Sequence, residues 1–219
     1  MNMKSDHLNP LAMVSEYLKR IQNKRTENPE TRHQDHLESL SSWIAAEYKK
    51  TGTTSLNFIC THNSRRSQFS QVWCHMVQSW MGLKVADAFS GGTEVTACNE
   101  RTVAALERAG LGSDKQGSEN PRYLITAPEF DTEITLWSKT YDDDLNPKSG
   151  FAAIMTCDHA DENCPFVPGA VLRVPLTYTD PKYADDSPEE SSAYDTACET
   201  IATDMIRLFI LVKEKINQA

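Results

Sequence analysis

The chain has 219 residues and a formal net charge of −9, from 22 Lys and Arg against 31 Asp and Glu. That balance speaks against a general nucleic-acid binder, which needs a basic face, while 39% hydrophobic and 24% charged residues suit an ordinary globular protein. No apolar run approaches the ~18 residues of a membrane span, and Met1-Asn-Met-Lys-Ser-Asp-His lacks the apolar core of a secretory leader. A cytoplasmic protein is expected.

Residues 9–50 read as two helices, because Met13, Val14, Tyr17, Leu18 and Ile21 recur at helical spacing, as do Leu37, Leu40, Trp43, Ile44 and Tyr48. The polar stretch from Lys24 to Glu30 predicts the turn between them. Residues 55–60 form a short β-rich run that ends at Cys60. A helix follows, with Phe69, Val72, Trp73, Met76, Val77 and Trp80 on one stripe. A strand is expected at Lys84–Phe89, then Ser90-Gly91-Gly92-Thr93, then a helix from Asn99 to Ala109. Strand, helix, strand, helix implies a parallel sheet, with its site outside the carboxyl ends of the strands. Arg122–Thr126 and Thr132–Trp137 predict a β-hairpin, followed by an acidic loop over 141–150. Phe151–Thr156 and Val171–Leu176 read as further core strands, and a long amphipathic helix carrying Tyr194, Cys198, Ile201, Met205, Phe209 and Val212 closes the chain.

Six cysteines, at 60, 74, 98, 157, 164 and 198, are too few for a disulfide scaffold in a chain of this length. Cys74, Cys98 and Cys198 fall on or beside apolar helical faces and read as packing residues. Cys60 differs. It opens Cys60-Thr61-His62-Asn63-Ser64-Arg65-Arg66-Ser67, where a strand runs into a tight loop and the loop into a helix. Loop amides and the free N–H groups of the helix start can cradle a tetrahedral anion. Arg66 adds a planar fork of donors, and the same positive field favours a thiolate at Cys60. Ser67 can hydrogen-bond the sulfur or a leaving group. Thr61, His62, Asn63, Ser64, Arg65, Arg66 and Ser67 are therefore the expected oxyanion-binding residues. Asn63 tolerates a left-handed backbone.

This loop, with Ser90-Gly91-Gly92-Thr93-Glu94 and Asn99 after it, resembles the low-molecular-weight protein tyrosine phosphatase superfamily, which also contains the thioredoxin-coupled arsenate reductases. The resemblance covers roughly residues 55–111 and 151–215. It implies an α/β, Rossmann-like parallel-sheet phosphatase fold over 53–219, with an N-terminal helical extension over 1–52 and an inserted β-hairpin at about 112–150. Two loop positions depart from the family: His62 stands where Gly is usual, and Arg65 where Cys is frequent. His62 is thereby expected to need a backbone shape that Gly reaches freely.

Cys157 and Cys164 lie seven positions apart in Cys157-Asp-His-Ala-Asp-Glu-Asn-Cys164-Pro, a polar connector read as a mobile loop. The segment resembles the redox segment of the arsenate reductases. The resemblance implies that Cys60 attacks arsenate, Cys157 attacks Cys60 and Cys164 attacks Cys157, with thioredoxin or glutaredoxin reducing the final disulfide. A zinc site from Cys157, His159, Asp161 and Cys164 competes, but structural zinc ligands usually come in pairs at tighter spacing. His159 alone reads as a loop residue. Asp180-Pro181, after the last strand, matches the family's general acid, which protonates the departing oxygen. Asp185 and Asp186 read as solvated surface. The expected activity is arsenate reduction, and the alternative is hydrolysis of phosphotyrosine or small phosphoesters through phospho-Cys60. No cofactor, resident metal, nucleic-acid or membrane partner is expected, and the oligomeric state is left open.

Overall fold

The computed structural model describes residues 13–27, 32–163 and 166–218. In chain order the elements are α1 (Met13–Glu27), α2 (Gln34–Thr51), β1 (Thr54–Cys60), α3 (Arg66–Trp80), β2 (Ala86–Gly92), α4 (Glu100–Arg108), β3 (Gly112–Gln116), β4 (Arg122–Ala127), β5 (Thr132–Leu136), β6 (Phe151–Met155), α5 (Asp158–Asn163), β7 (Ala170–Pro175) and α6 (Glu190–Asn217). Short 3-10 turns cover Pro128–Phe130 and Pro181–Ala184. Among the described residues no helix is long and apolar enough to cross a membrane.

Four parallel strands form the main sheet in the order β2-β1-β6-β7. β1 and β6 occupy its centre, which explains their composition. Ser-Leu-Asn-Phe-Ile-Cys and Phe-Ala-Ala-Ile-Met are buried on both faces, so they read as apolar runs rather than alternations. The one polar insider, Asn57, donates from Nδ2 to the Tyr141 carbonyl at 2.9 Å. β2 begins two residues later than Lys84 and continues through Gly92, because its pairing with β1 runs in register from Thr54↔Ala86 to Cys60↔Gly92.

α3 is buried nearly all round because the main sheet, α6 and β5 all pack on it. Trp73 sits at its centre, stacked on Tyr17 with ring centroids 5.3 Å apart and donating from Nε1 to Cys198 Sγ at 3.3 Å. Stacking of this kind adds about 0.5–1.5 kcal/mol beyond area burial. Gln78 is buried with both ends of its amide satisfied: Oε1 accepts from the Val85 and Ala86 amides, and Nε2 donates to the Cys74 and Ala86 carbonyls. That side chain fixes the turn from α3 into β2.

The two N-terminal helices each pack against α6, with Val14, Leu18, Ile21, Leu37, Leu40 and Ile44 joining the main core. The polar stretch predicted as a turn is helical as far as Glu27, where α1 ends, and its remainder, 28–30, lies outside the described residues.

The segment 112–150 is more than a hairpin. Its β4 and β5 pair antiparallel as predicted, but β3 adds a third strand on the far side of β4. β3 reads Gly-Ser-Asp-Lys-Gln, with no apolar alternation for periodicity to detect, and its charges suit an exposed edge. Tyr123, Ile125, Ala127, Ile134 and Leu136 from this small sheet enter the main core cluster. The insertion is thus welded to α3 and α4.

Candidate active site

Cys60 ends β1 and Arg66 begins α3, so five residues turn the chain. Asn63 holds the turn. Its φ of 45° is left-handed, a conformation asparagine tolerates better than most side chains. The Asn63 Oδ1 accepts from the Lys139 amide at 3.1 Å, its Nδ2 donates to Ser67 Oγ at 2.9 Å, and its carbonyl accepts from Gln68 Nε2 at 2.8 Å. Ser67 Oγ lies 3.1 Å from Cys60 Sγ. Because Asn63 already donates to that hydroxyl, its own hydrogen is free to point at the sulfur. His62 is not in the left-handed region, so a histidine at the family's usual glycine position needs no special backbone. That corrects the expectation drawn from the sequence.

The first amides of α3 have no carbonyl partner within the helix and face the loop end. Arg66 reaches the same space. Nη1 donates to the Tyr178 carbonyl at 3.0 Å, Nη2 to Asp180 Oδ2 at 2.6 Å, and the buried Nε has no protein acceptor among the described residues. A guanidinium held on two sides, with a buried donor unmet, suits an oxyanion ligand. Asp180 caps the 3-10 turn by accepting from the Lys182 amide at 3.1 Å and also lies 3.6 Å from Arg65 Nη1. Arg65 Nε donates to Tyr194 Oη at 3.0 Å, and that hydroxyl donates to Asp185 Oδ1 at 2.8 Å. Asp185 therefore anchors the arginine through Tyr194 and is no mere solvated acid. Its neighbour Asp186 is exposed and pairs with Arg101 at 2.7 Å.

Cys60, His62, Ser64, Arg65, Arg66 and Asp180 line one small pocket. At its rim His62 Nε2 stands 3.3 Å from Glu94 Oε2. Ser64 is turned inward: its Oγ donates to the Ala97 carbonyl at 2.7 Å, and its carbonyl accepts from the Asn99 amide at 3.0 Å. Asn99 in turn caps α4 by accepting from the Arg101 amide.

The backbone leaving β2 supports the loop from below. The Thr93 and Glu94 amides donate to the Cys60 and Thr61 carbonyls at 3.2 and 2.9 Å. Gly92 lies so close that a Cβ there would fall 2.7 Å from the Thr61 carbonyl oxygen and 2.8 Å from the Asn63 amide nitrogen. All of these obstacles are backbone. Gly92→Ala is expected to cost about 3 kcal/mol or more, read as a lowered urea midpoint, and to weaken phosphate binding in the same preparation.

The segment after β5 contacts the loop from the other side. Ser138 Oγ donates to the His62 carbonyl at 2.8 Å, and the Trp137 carbonyl accepts from Gln68 Nε2 at 2.8 Å. No motif in the sequence marks these residues. Lys139 is buried here, with Nζ 4.3 Å from the centre of the Trp137 ring. Burial pushes its ammonium down from the ordinary 10.5 to about 8, against the opposing pull of Asp143 and Cys98. Between those pH values the unfolded chain holds the proton and the folded chain has lost it, so stability rises with pH there; below about pH 8 the full burial cost stands. Lys139→Met is expected to stabilise the protein at neutral pH by on the order of 2 kcal/mol, with the gain shrinking towards pH 10. Urea melts at both pH values measure it, and a gain of equal size at both would contradict the assignment.

Cys157 lies two residues beyond the end of β6, the strand that pairs with β1 through Ile59↔Met155. The Thr156 amide and hydroxyl both donate to the Ile59 carbonyl, at 2.7 and 3.0 Å. Cys60 and Cys157 thus stand at the carboxyl ends of adjacent strands, within one small buried cluster. Cys157 Sγ accepts from the Ala160 amide at 3.3 Å and lies 3.6 Å from Thr61 Oγ1, which is itself 3.3 Å from His159 Nδ1. Where a loop is expected the connector is helical: Asp158–Asn163 form α5, tied to β7 by Arg173 pairing with Asp161 at 2.6 Å. Cys164 lies outside the described residues. Cys74, Cys98 and Cys198 are all buried, and desolvation pushes Cys98 and Cys198 up to about 12 and Cys74 higher still. They are packing residues.

No family model matches the sequence. The chain is similar to arsenate reductases of Bacillus licheniformis, 28% identical over 144 residues that cover 64% of this chain and 83% of that protein, and of Halalkalibacterium halodurans, 28% identical over 138 residues covering 62% and 80%. An arsenate reductase of Bacillus cereus is 29% identical over 138 residues, covering 62% and 79%. Among solved structures, a low-molecular-weight protein tyrosine phosphatase from Bacillus subtilis superposes with a TM-score of 0.50 at 12% identity, over 74% of this chain and 98% of that one. The structural likeness speaks for the fold.

Proposed function

We propose that this chain, a member of the low-molecular-weight protein tyrosine phosphatase superfamily on its arsenate reductase branch, reduces arsenate to arsenite with Cys60, Cys157 and Cys164 as the thiols. Arsenate occupies the Cys60 loop, held by the α3 amides and by Arg66. Cys60 Sγ attacks arsenic, and one arsenate oxygen leaves as water with a proton from Asp180. Asp180 Oδ2 lies 2.6 Å from Arg66 Nη2, and an oxyanion that takes over that guanidinium releases the carboxyl for proton transfer. Cys157 then attacks Cys60 Sγ. The new S–S bond forms as the As–S bond breaks, its electron pair passes to arsenic, and arsenic(III) departs as arsenite. Cys164 next attacks Cys157, frees Cys60, and leaves a Cys157–Cys164 disulfide for a thioredoxin-type dithiol to reduce.

The observation that carries this reading is the place of Cys157. Its sulfur stands beside Thr61, the residue next to the nucleophile, and at the end of the neighbouring strand. Phosphoester hydrolysis uses water at the second step and has no use for a thiol there. One equivalent of arsenate without any reductant tests the proposal. Mass spectrometry is expected to find a Cys157–Cys164 disulfide and one arsenite per chain, and in Cys164→Ser a trapped Cys60–Cys157 disulfide. Thiols that stay reduced in the presence of bound arsenate would sink it.

A further inference from the structure

The attack by Cys157 raises a question of protons. Its thiol is 1% exposed, so water cannot readily collect the proton that must leave before a thiolate can act. One polar path does lead outward. Thr61 Oγ1 lies between Cys157 Sγ at 3.6 Å and His159 Nδ1 at 3.3 Å, and His159 is exposed. Among side chains, imidazole is the one whose ordinary titration brackets neutral pH, so it can both take a proton and release it to solvent.

We propose that His159 is the proton acceptor for Cys157, acting through the hydroxyl of Thr61; the idea rests on the reductase reading above. Cys157 passes its proton to Thr61 Oγ1 as Thr61 passes its own to His159 Nδ1. The result is a Cys157 thiolate, a Thr61 hydroxyl now donating to it, and an imidazolium that returns its proton to solvent from an exposed side chain. No electron moves in this step. The thiolate keeps the Ala160 amide as a second donor. It then attacks Cys60 Sγ as described.

The charged groups around this path come from several elements. Asp158, Asp161 and Glu162 share α5 with His159, Arg173 on β7 pairs with Asp161, Cys60 ends β1, and Glu94 follows β2 with its amide on the Thr61 carbonyl. Arg173 pairs with Asp161 at 2.6 Å. His159 therefore acts as a positioning residue for proton transfer rather than as a group that touches the reacting sulfur.

The test avoids arsenate, so its failure is distinct from failure of the reductase reading. In a Cys60→Ser, Cys164→Ser background, methyl methanethiosulfonate labels Cys157, followed by peptide mass spectrometry between about pH 5.5 and 8.5. With His159 present, the rate is expected to climb as the imidazole loses its proton. His159→Ala is expected to slow labelling about tenfold or more at neutral pH, to shift the climb to higher pH, and to be partly rescued by added imidazole. Thr61→Val is expected to slow it similarly, with no further loss when both changes are combined. A His159→Ala protein that labels at the parent rate, or one slowed equally at every pH without imidazole rescue, overturns the proposal. Additive losses in the double variant overturn it as well.

Discussion

Replacing Cys60 by serine is expected to lower arsenite formation by on the order of 10⁴-fold or more, as removal of a covalent nucleophile does elsewhere. The sulfur is the only atom the change removes from a site otherwise intact. Serine retains the contact to Ser67 and adds no bulk against Ile59 or Met155, so the thermal midpoint is expected to stay close to that of the parent. A steady-state arsenite assay beside a thermal melt separates the two effects. Loss of activity together with a fall in the midpoint of many degrees would mean that Cys60 supports the fold rather than the reaction.

Arg66→Lys is the second large effect. The lysine keeps the charge, but it cannot donate to the Tyr178 carbonyl and Asp180 while presenting a further N–H to a ligand. A fall in kcat/KM of about 10²–10³ is expected, the scale seen when one preorganised oxyanion donor is lost. Phosphate, as a competitive ligand, is expected to weaken in parallel. A lysine variant with unchanged phosphate affinity would place the oxyanion elsewhere.

What the sequence reveals and what it hides divide along a physical line. The Cys60 loop is legible because three signals coincide there: a doubly buried strand, a turn with Asn63 at the left-handed position, and a helix with a wide apolar stripe. β4, β5, β6 and β7 carry apolar or alternating patterns and fall within a residue or two of their expected places. β3 is polar throughout and owes its existence to pairing with β4, so no local signal announces it. α5 is a six-residue helix in an acidic segment, below the length at which periodicity distinguishes helix from loop. The supports of the loop are long-range. Ser138 and Lys139 are 76 positions from the residues they hold, and Tyr194 is 129 positions from Arg65. Nothing in Trp-Ser-Lys or in a lone helical tyrosine states such a partnership. His62 is the opposite case. A family glycine suggested backbone strain, yet the left-handed residue is its neighbour Asn63.

The inserted sheet also supports the site. It sets the Trp137–Lys139 segment against the Cys60 loop, so residues outside the resemblance brace His62 and Asn63. The pocket is small, and Arg65, Arg66 and Asp180 make its lining charged.

The most direct measurement of the central claim is arsenate-dependent NADPH oxidation in a thioredoxin and thioredoxin reductase mixture, comparing the parent with Cys157→Ser. The relay predicts steady consumption by the parent that stops in the variant, while the variant still binds phosphate. No arsenate-dependent consumption by the parent, with p-nitrophenyl phosphate hydrolysed equally by both proteins, would contradict it and leave a phosphatase in which Cys157 takes no part.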